Sequence, residues 1–277
     1  LVVFVALAVT LAPHTLKEHW YIPIVSVLAA MVANATPGGG GVLFIPLLQV
    51  FGNIKVHNVA AFAAAAQAIG MGVFGALNWH RRAHDALLWP VIIATLIPSL
   101  LGAFVTAVLL PINSALVLRI LFGLFGFALC AYVLYGACFR TTLVELRGAL
   151  ELGDDDAPWG TWRAVRQRWR TYAALAATGV VGGALAGYIS VGLDTIFFLV
   201  ATAVYGVDSQ YATASSVVLM GWASAAIALL KLHDVDVALW LCALPGLVVG
   251  ARIGPALNQL IGRRAVLALF VLVLFGD

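Results

Sequence analysis

Charged residues are scarce in this chain of 277 residues: Asp, Glu, Lys and Arg make up 10% of it, whereas 63% is hydrophobic. A typical soluble domain is about 25% charged, so a water-soluble fold could not hide this much apolar surface. A secretory signal peptide would supply only one short apolar stretch, but here long apolar stretches recur to the last residues. We therefore predict an all-α, polytopic transmembrane protein that lies in the bilayer along its whole length.

The chain also has few residues of the kind that metal and redox sites need. Its three cysteines, Cys130, Cys138 and Cys242, form no Cys-x-x-Cys pair, and the histidines fall in predicted loops or at helix ends. We interpret the cysteines as small buried hydrophobic residues and predict no metal and no cofactor. The formal charge of +3 carries no nucleic-acid signal, because the arginines cluster where membrane topology would place them.

Runs of about 20 apolar residues predict membrane-spanning helices. They cover residues 56–77, 87–110, 115–139, 210–230, 237–257 and, more briefly, 265–275. The predicted organisation is the end of an extra helix with a loop (1–20), a first transmembrane repeat (21–139), a charged cytoplasmic connector (140–171) and a second transmembrane repeat (172–277).

Two further apolar regions, 21–51 and 172–205, are interrupted by the glycine-containing breaks NATPGGGG (34–41) and GYISVGLDT (187–195). As continuous helices they would measure about 45 to 50 Å, whereas the hydrocarbon core is about 30 Å thick. A helical hairpin that turns at the break fits this length, because glycine tolerates the turn and Pro37 cannot continue a helix. Counts of Lys and Arg follow the positive-inside rule equally well for hairpins and for single broken spans.

The two halves also match each other. A shift of 154 residues places Phe51 on Tyr205 and Gly38 on Gly192, and it aligns the two breaks. This predicts an internal repeat. Since a hairpin plus three spans reverses the direction of the chain, the second repeat is predicted to be inverted relative to the first, as in many secondary transporters.

The two breaks are the predicted ligand site. Non-helical backbone is tolerated at membrane depth only inside protein or beside a water-filled cavity, and the free N–H groups that begin the second arm of each hairpin favour an anion. Tight helix packing is the alternative role for the glycines. The candidate substrate-binding residues are Asn34, Thr36, Gly38, Gly39, Gly40, Gly41, Gln67, Tyr188, Ser190, Gly192, Ser215 and Ser216. Ordinary interhelical hydrogen bonds are the alternative for the polar members of this set.

Asp194 is the only acid placed well away from the end of an apolar segment. An ionisable group at such depth is costly and usually has a role. Two roles are open: a protonatable coupling group, or a protonated group that forms a hydrogen bond across the interface between the repeats. Arg252, about five residues inside its span, could attract an anion or extend its side chain to the membrane interface.

The run GGGGVLFIPLL (38–48), the alanine-rich helix after it, the basic end NWHRR (78–82) and a weaker second copy resemble the TauE/SafE family of sulfite and organosulfonate exporters. The similarity extends over about residues 22 to 274, and its most specific motif is the glycine-rich break followed by Pro46. The resemblance implies a carrier in the bacterial cytoplasmic membrane for small sulfur oxyanions such as sulfite, sulfoacetate or a related sulfonate.

This chain departs from the family pattern at two places. The helix after the first break reads AAFAAAA (60–66) where many members carry a hydroxyl pair, and only Ser215 and Ser216 supply such a pair, in the second half. The second break, VGLDT (191–195), lacks the triple glycine and the following proline and carries Asp194. These differences bear on substrate and coupling more than on the family.

The predicted function is export of small sulfur-containing anions by alternating access, with Asp194 as the proton-coupling residue. An enzyme is not predicted, because intramembrane aspartyl proteases need a second carboxylate at depth and serine proteases need Gly-x-Ser-Gly near a His in the membrane, and the sequence supplies neither. An anion channel or an accessory subunit of a larger complex is the alternative. The expected partners are the anion and the lipid bilayer, with a homodimer left open.

Overall fold

The structure, a computed structural model, describes residues 1–275 except 53, 55, 84–86, 113 and 139–168. In 50–52, 56, 128–138, 169–170, 203 and 261–275 it describes the backbone alone. The described residues form helices and turns without a strand, which confirms the all-α prediction. The charged connector predicted at 140–171 lies almost entirely outside the described residues.

The helices are numbered here in chain order. They are α1 (Val2–Leu11), α2 (Pro13–Glu18), α3 (Ile22–Ala35), α4 (Gly41–Gly52), α5 (Val56–Gln67, continued by the π-helical segment Ala68–Gly75 and by Ala76–Arg82), α6 (Trp89–Phe104, continued by π-helical Val105–Leu109), α7 (Ala115–Cys138), α8 (Trp169–Ile189), α9 (Leu193–Leu199, continued by π-helical Val200–Val204), α10 (Ser209–Leu230) and α11 (Val237–Phe275). A short 3-10 turn, Leu232–Asp234, joins α10 to α11.

Among the described residues, five helical segments are long and apolar enough to cross a membrane. They are His57–Arg82, Trp89–Leu109, Thr171–Ile189, Ser209–Leu230 and Val237–Leu260. The chain is therefore a polytopic membrane protein. The α1 and α7 helices lie within the regions predicted as the end of an extra helix (1–20) and as a span (115–139); both of these roles stay predictions.

The prediction of two separate segments at 237–257 and 265–275 was wrong. The α11 helix runs without a break over 39 residues, from Val237 to Phe275. Between the two predicted segments the sequence offers one glycine, Gly262, and no proline. A single glycine weakens a helix without ending it, so the backbone hydrogen bonds continue through the basic pair Arg263 and Arg264.

A row of glycines brings α11 into direct backbone contact with α3. Gly246, Gly250 and Gly254 recur every four residues and so lie on one face of α11. A methyl group placed on Gly250 would lie 2.3 Å from the carbonyl oxygen of Val27 in α3. Only hydrogen fits at this position, so the two helices pack at the close distance that small residues permit in membranes.

A second glycine row joins α8 to α6 in the same way. Gly179, Gly183 and Gly187 are again spaced by four residues. A methyl group on Gly183 would lie 2.1 Å from the carbonyl oxygen of Ser99, and one on Gly187 would meet the Thr106 hydroxyl at the same distance. We call these two contacts the glycine seams. Each seam joins the first arm of one broken region to a helix of the other half of the chain.

The first broken region is a hairpin. Ala30 faces Gly70 and Asn34 faces Gly75, so α3 runs in the same direction as α5. Gly40 lies against Gln67, whereas Phe44, one turn later, stacks edge-on against Phe62 with ring centroids 5.2 Å apart. The α4 helix therefore runs opposite to α5 and opposite to α3, as the length argument predicts.

The second broken region also turns back on itself. Gly182 of α8 lies against Leu193, the first residue of α9, and Gly192 lies against Leu185. A chain that continued in one direction would place these residues far apart, since α-helix rises 1.5 Å per residue. The two hairpins and the reciprocal seams are consistent with a repeat; the inversion of one half relative to the other stays a prediction.

Candidate functional site

The two glycine-broken turns meet in the interior of the protein. The hydroxyl of Thr195, in the first helical turn of α9 directly after the second break, donates a hydrogen bond of 2.7 Å to the carbonyl oxygen of Pro37 in the first break. Thr36, Ser190, Asp194 and Thr195 are all buried. Irregular backbone from both halves of the chain therefore lies at one place, where protein rather than lipid surrounds it.

The first turn needs glycine for its backbone geometry. Gly39 has a φ of +65°, which an L residue with a side chain rarely adopts. The α4 helix then begins at Gly41, and the N–H groups of Leu43 and Phe44 bond to the carbonyl of Gly40. The N–H groups before them have no partner within a helix that begins here. They lie where a helix N-terminus attracts negative charge.

The second turn has a different construction. Ser190 and Gly192 both have positive φ values, 54° and 110°, and α9 begins directly after them. The N–H of Ile196 closes the first helical turn by bonding to the carbonyl of Gly192. A methyl group on Gly192 would lie 3.3 Å from the Phe125 ring. This turn is therefore held by packing against α7 and α8 as well as by hydrogen bonds.

Gln67 links the two turns to the surrounding helices. Its Nε2 donates a 2.9 Å bond to the carbonyl oxygen of Ser190, and its Oε1 accepts a 3.3 Å bond from the hydroxyl of Ser224 in α10. The Ser190 hydroxyl in turn donates a 2.6 Å bond to the carbonyl of Ala60. Gln67 is the last residue before the π-helical segment Ala68–Gly75, and such segments often lie at functional sites.

Asp194 directs one oxygen of its carboxyl group at the first turn. Its Oδ1 accepts a 2.9 Å bond from the N–H of Thr195, but its Oδ2 has no hydrogen-bond partner among the described residues. A methyl group on Gly39 would lie 3.0 Å from this Oδ2 and 3.7 Å from Oε1 of Gln67. The carboxyl oxygen and the amide oxygen thus converge on the glycine backbone, and the side chain of Asp194 is fully buried.

Lys231 reaches the second hairpin from the end of α10. Its ammonium group donates a hydrogen bond to the carbonyl oxygen of Gly187, in the last turn of α8. Burial lowers the pKa of Lys231 below its ordinary value, although the nearby Asp234 acts in the opposite direction. The last turn of α8 is therefore held by a side chain that the sequence places in a loop.

Four of the predicted ligand residues form hydrogen bonds with groups outside the two turns. Ser215 accepts a bond from the N–H of Leu88, and the hydroxyl of Ser216 donates to the carbonyl of Thr213 in its own helix. Tyr188 donates to the carbonyl of Leu110 at an exposed position. Asn34, at the end of α3, donates to the carbonyls of Ala30 and Gly70. These side chains support the helices around the turns.

Thr36 and the four glycines lie at the first turn. The Thr36 hydroxyl donates to the carbonyl of Val32 and accepts a 3.4 Å bond from the N–H of Gly38, so it closes the end of α3. Gly40 packs against Gln67, and a methyl group on Gly41 would lie 2.9 Å from the carbonyl of Ser190. The structure therefore brings together Gly38–Gly41, Gln67, Ser190, Gly192 and Asp194.

Two polar residues near the turns were not predicted from the sequence as part of the site. Ser224 bonds to Gln67, and the amide of Asn258 donates a 2.7 Å bond to the carbonyl of Ala35 at the end of α3. Ser224 is a polar residue inside the apolar run 210–230, a signal that could have drawn attention to it, whereas Asn258 lies just beyond the run 237–257. The carbonyl acceptors Pro37 and Ala60 have no sequence signal, since every residue carries a carbonyl group.

The chemistry available at the turns is that of ion binding. Helix N–H groups, a carboxyl group and an amide meet in a water-excluded place where electrostatic interactions are strong. Among the described residues, no group of three or more His, Cys, Asp or Glu is placed to hold a metal ion.

Comparison with known proteins identifies one family. Residues 22–276 of the chain match the family described as sulfite exporter TauE/SafE. Neither the curated proteins nor the solved structures give a match. The matched range includes both broken turns and all the helices from α3 onwards.

Proposed function

Since the chain belongs to the sulfite exporter TauE/SafE family, we propose that it exports a small sulfur-containing anion, such as sulfite, sulfoacetate or a related organosulfonate, from the bacterial cytoplasm by proton-coupled alternating access. Membership makes the chain a membrane transport protein. The observation that carries the proposal for the site is the bond between Thr195 and Pro37, because it places both broken turns around one buried location.

The anion lies against the backbone of Gly38–Gly41 at the start of α4. Helix N-termini and glycine backbone suit the oxygens of sulfite and sulfonate groups for the same reasons that they suit phosphate. Ser190 and Gly192 complete the site from the second hairpin. Gln67 orients it, because this residue contacts Ser190, Gly40 and Ser224 at once.

Asp194 couples the anion to a proton. Its Oδ2 faces the same glycine backbone that receives the anion. A charged carboxylate and an anion at this place would repel each other strongly, because few water molecules screen them. A proton on Asp194 removes that repulsion and leaves an O–H that can donate to the anion. Anion binding and protonation of Asp194 are therefore linked in this proposal.

Alternating access proceeds by movement of the hairpins around the turns. Each seam holds one hairpin arm to a helix of the other half along a row of three glycines, whereas the contact between the turns is short: the Thr195–Pro37 hydrogen bond and the close approach of Gly41 to Ser190. The bundle is therefore easiest to separate at the turns, and separation there opens the site.

The test is transport by the purified protein in liposomes loaded with sulfite or sulfoacetate. We expect efflux that saturates with anion concentration and that accelerates with an imposed pH gradient. Protein-free liposomes and chloride-loaded proteoliposomes provide the controls. Absence of both binding and flux for sulfite and every sulfonate would overturn the proposal. Single-channel currents in planar bilayers would replace the carrier with an anion channel.

A further inference from the structure

A cavity of about 420 Å³ opens between α5 and α11, at the end of α5 that carries the sequence NWHRR. Three arginines, Arg81, Arg82 and Arg252, are among the residues that line it. Phe74, Leu77 and Val248 line it with apolar atoms. We propose that this cavity is a binding site for an anionic phospholipid, whose phosphate contacts the arginines and whose acyl chain lies against the apolar wall.

Among the described residues that line the cavity, the charged ones are all arginines. The ion pairs within the described part of the chain are His14 with Glu18 and His233 with Asp234, and the three arginines take part in neither. A guanidinium group presents several N–H donors in a plane and binds phosphate oxygens in pairs. Three such groups around one cavity match the charge of a phosphate headgroup.

The helices are tied together at this cavity. Asn78 donates hydrogen bonds from Nδ2 to the carbonyl of Phe74 in α5, at 2.7 Å, and to the carbonyl of Ala251 in α11, at 3.3 Å. This second bond holds Arg252, the next residue of α11, beside Arg81 and Arg82. The Phe74 ring is fixed on its other side by Phe4, with ring centroids 5.8 Å apart.

The apolar wall continues onto the perimeter of the protein. Leu77 is 41% exposed and Val73, one turn earlier on the same face of α5, is 51% exposed. Ile253 of α11 is 40% exposed. Apolar side chains exposed on spanning helices face hydrocarbon, so the cavity opens toward the lipid and receives an amphiphile from the side.

The cavity is separate from the turns where the transported anion is proposed to bind. Gln67 and Arg81 are 14 positions apart in α5, which corresponds to roughly 21 Å along a helix. The arginine end of α5 is also the end that the positive-inside rule places at the cytoplasmic leaflet, which carries anionic lipids. A lipid at this location thus binds independently of the proposed transport chemistry.

The experiment measures retention of added phosphatidylglycerol and phosphatidylethanolamine by the delipidated full chain, with native mass spectrometry and thermal unfolding. We expect phosphatidylglycerol alone to remain bound and to raise the melting temperature. Each of R81Q, R82Q and R252Q should weaken binding about fivefold, and the triple variant on the order of a hundredfold. R119Q, an exposed arginine on α7, is the matched control and should bind as the unaltered chain does.

Val248→Phe separates a lipid from a small anion. The larger side chain narrows the cavity at its apolar wall and leaves the arginines in place, so lipid binding should fall. The elution volume on size-exclusion chromatography should stay that of the unaltered chain, which shows that the variant is folded. Equal retention of both lipids, or full retention by the triple variant, would overturn the proposal. A rise in melting temperature with sulfite or phosphate alone that persists in Val248→Phe would also overturn the proposal, since the cavity would then hold a soluble anion.

Discussion

Thr195 and Pro37 are 158 positions apart in the sequence, yet the hydroxyl of one lies 2.7 Å from the carbonyl oxygen of the other. Pro37 lies in the first turn, and Thr195 is the third residue of α9, which begins directly after the second turn. Their contact joins the two halves of the chain at the point where the backbone of both is irregular. The first three predictions follow from this arrangement, and the fourth concerns the seams that hold it.

Replacing Thr195 by valine tests the contact itself. Valine has nearly the same shape but cannot donate to Pro37, so a buried carbonyl oxygen loses its partner, at a cost of about 1 to 3 kcal/mol. We expect a lower melting temperature and slower sulfite efflux. Thr202→Val is the control, because the Thr202 hydroxyl donates to Phe198 in its own helix. Equal decreases of melting temperature and efflux rate in the two variants would show that the bond between Thr195 and Pro37 contributes no more than a hydrogen bond within one helix.

Asp194→Asn tests proton coupling. The amide cannot take up or release a proton but can still donate a hydrogen bond to the anion, so efflux should become slower and lose its dependence on pH. Flux should be measured from pH 5 to 8 with and without a pH gradient. In the control, Asp208→Asn, the side chain caps α10 and asparagine caps equally well. A pH profile unchanged in Asp194→Asn would make Asp194 a structural residue.

Gly39→Ala tests the close approach of backbone to the site. Alanine at a φ of +65° is strained by about 1 to 3 kcal/mol. Its methyl group would also lie 3.0 Å from Oδ2 of Asp194. We expect loss of both anion binding and thermal stability. Gly123→Ala is the matched control, because a methyl group on Gly123 meets no atom within 4 Å. Wild-type sulfite affinity in Gly39→Ala would place the anion elsewhere.

Replacing a glycine of either seam by alanine should destabilise the protein. Gly183→Ala and Gly250→Ala each place a methyl group against a backbone carbonyl of the neighbouring helix, at 2.1 and 2.3 Å. Backbone must shift to accommodate it, which costs about 1 to 3 kcal/mol. Thermal unfolding in detergent should show a lower melting temperature for both, with Gly123→Ala again unchanged. Unchanged melting of the seam variants would mean that the helices can separate without cost.

Much of the site follows from the sequence because glycine and proline mark it. The sequence itself shows Pro37, the glycines Gly38–Gly41 and the isolated acid Asp194. The length of each interrupted apolar region then requires a turn at these residues. The hydrogen-bond partners of the site residues cannot be recognised in the sequence. Gln67 donates to a carbonyl 123 positions away, and a carbonyl leaves no mark in the sequence, so which polar side chain reaches it depends on how the helices are rotated.

Ser215 and Ser216 illustrate the same difficulty. Their depth in α10 and their hydroxyl groups made them reasonable ligands, but the serine hydroxyls bond to the N–H of Leu88 and to the carbonyl of Thr213. In a membrane interior, every polar group needs a partner, and nearby backbone supplies it at little entropic cost. The continuous α11 was missed for a different reason, since a fall in hydrophobicity at Arg263 and Arg264 ends an apolar run without ending a helix.

The glycine seams also affect how the protein can be assembled during synthesis. The α3 helix is made early, but its seam partner α11 begins at Val237, more than two hundred residues later. The exposed backbone of α3 has no glycine-lined partner until most of the chain has been inserted. Insertion should therefore yield a loose, protease-sensitive intermediate that closes only when α11 is inserted, and truncation before Gly246 should leave the first hairpin undocked.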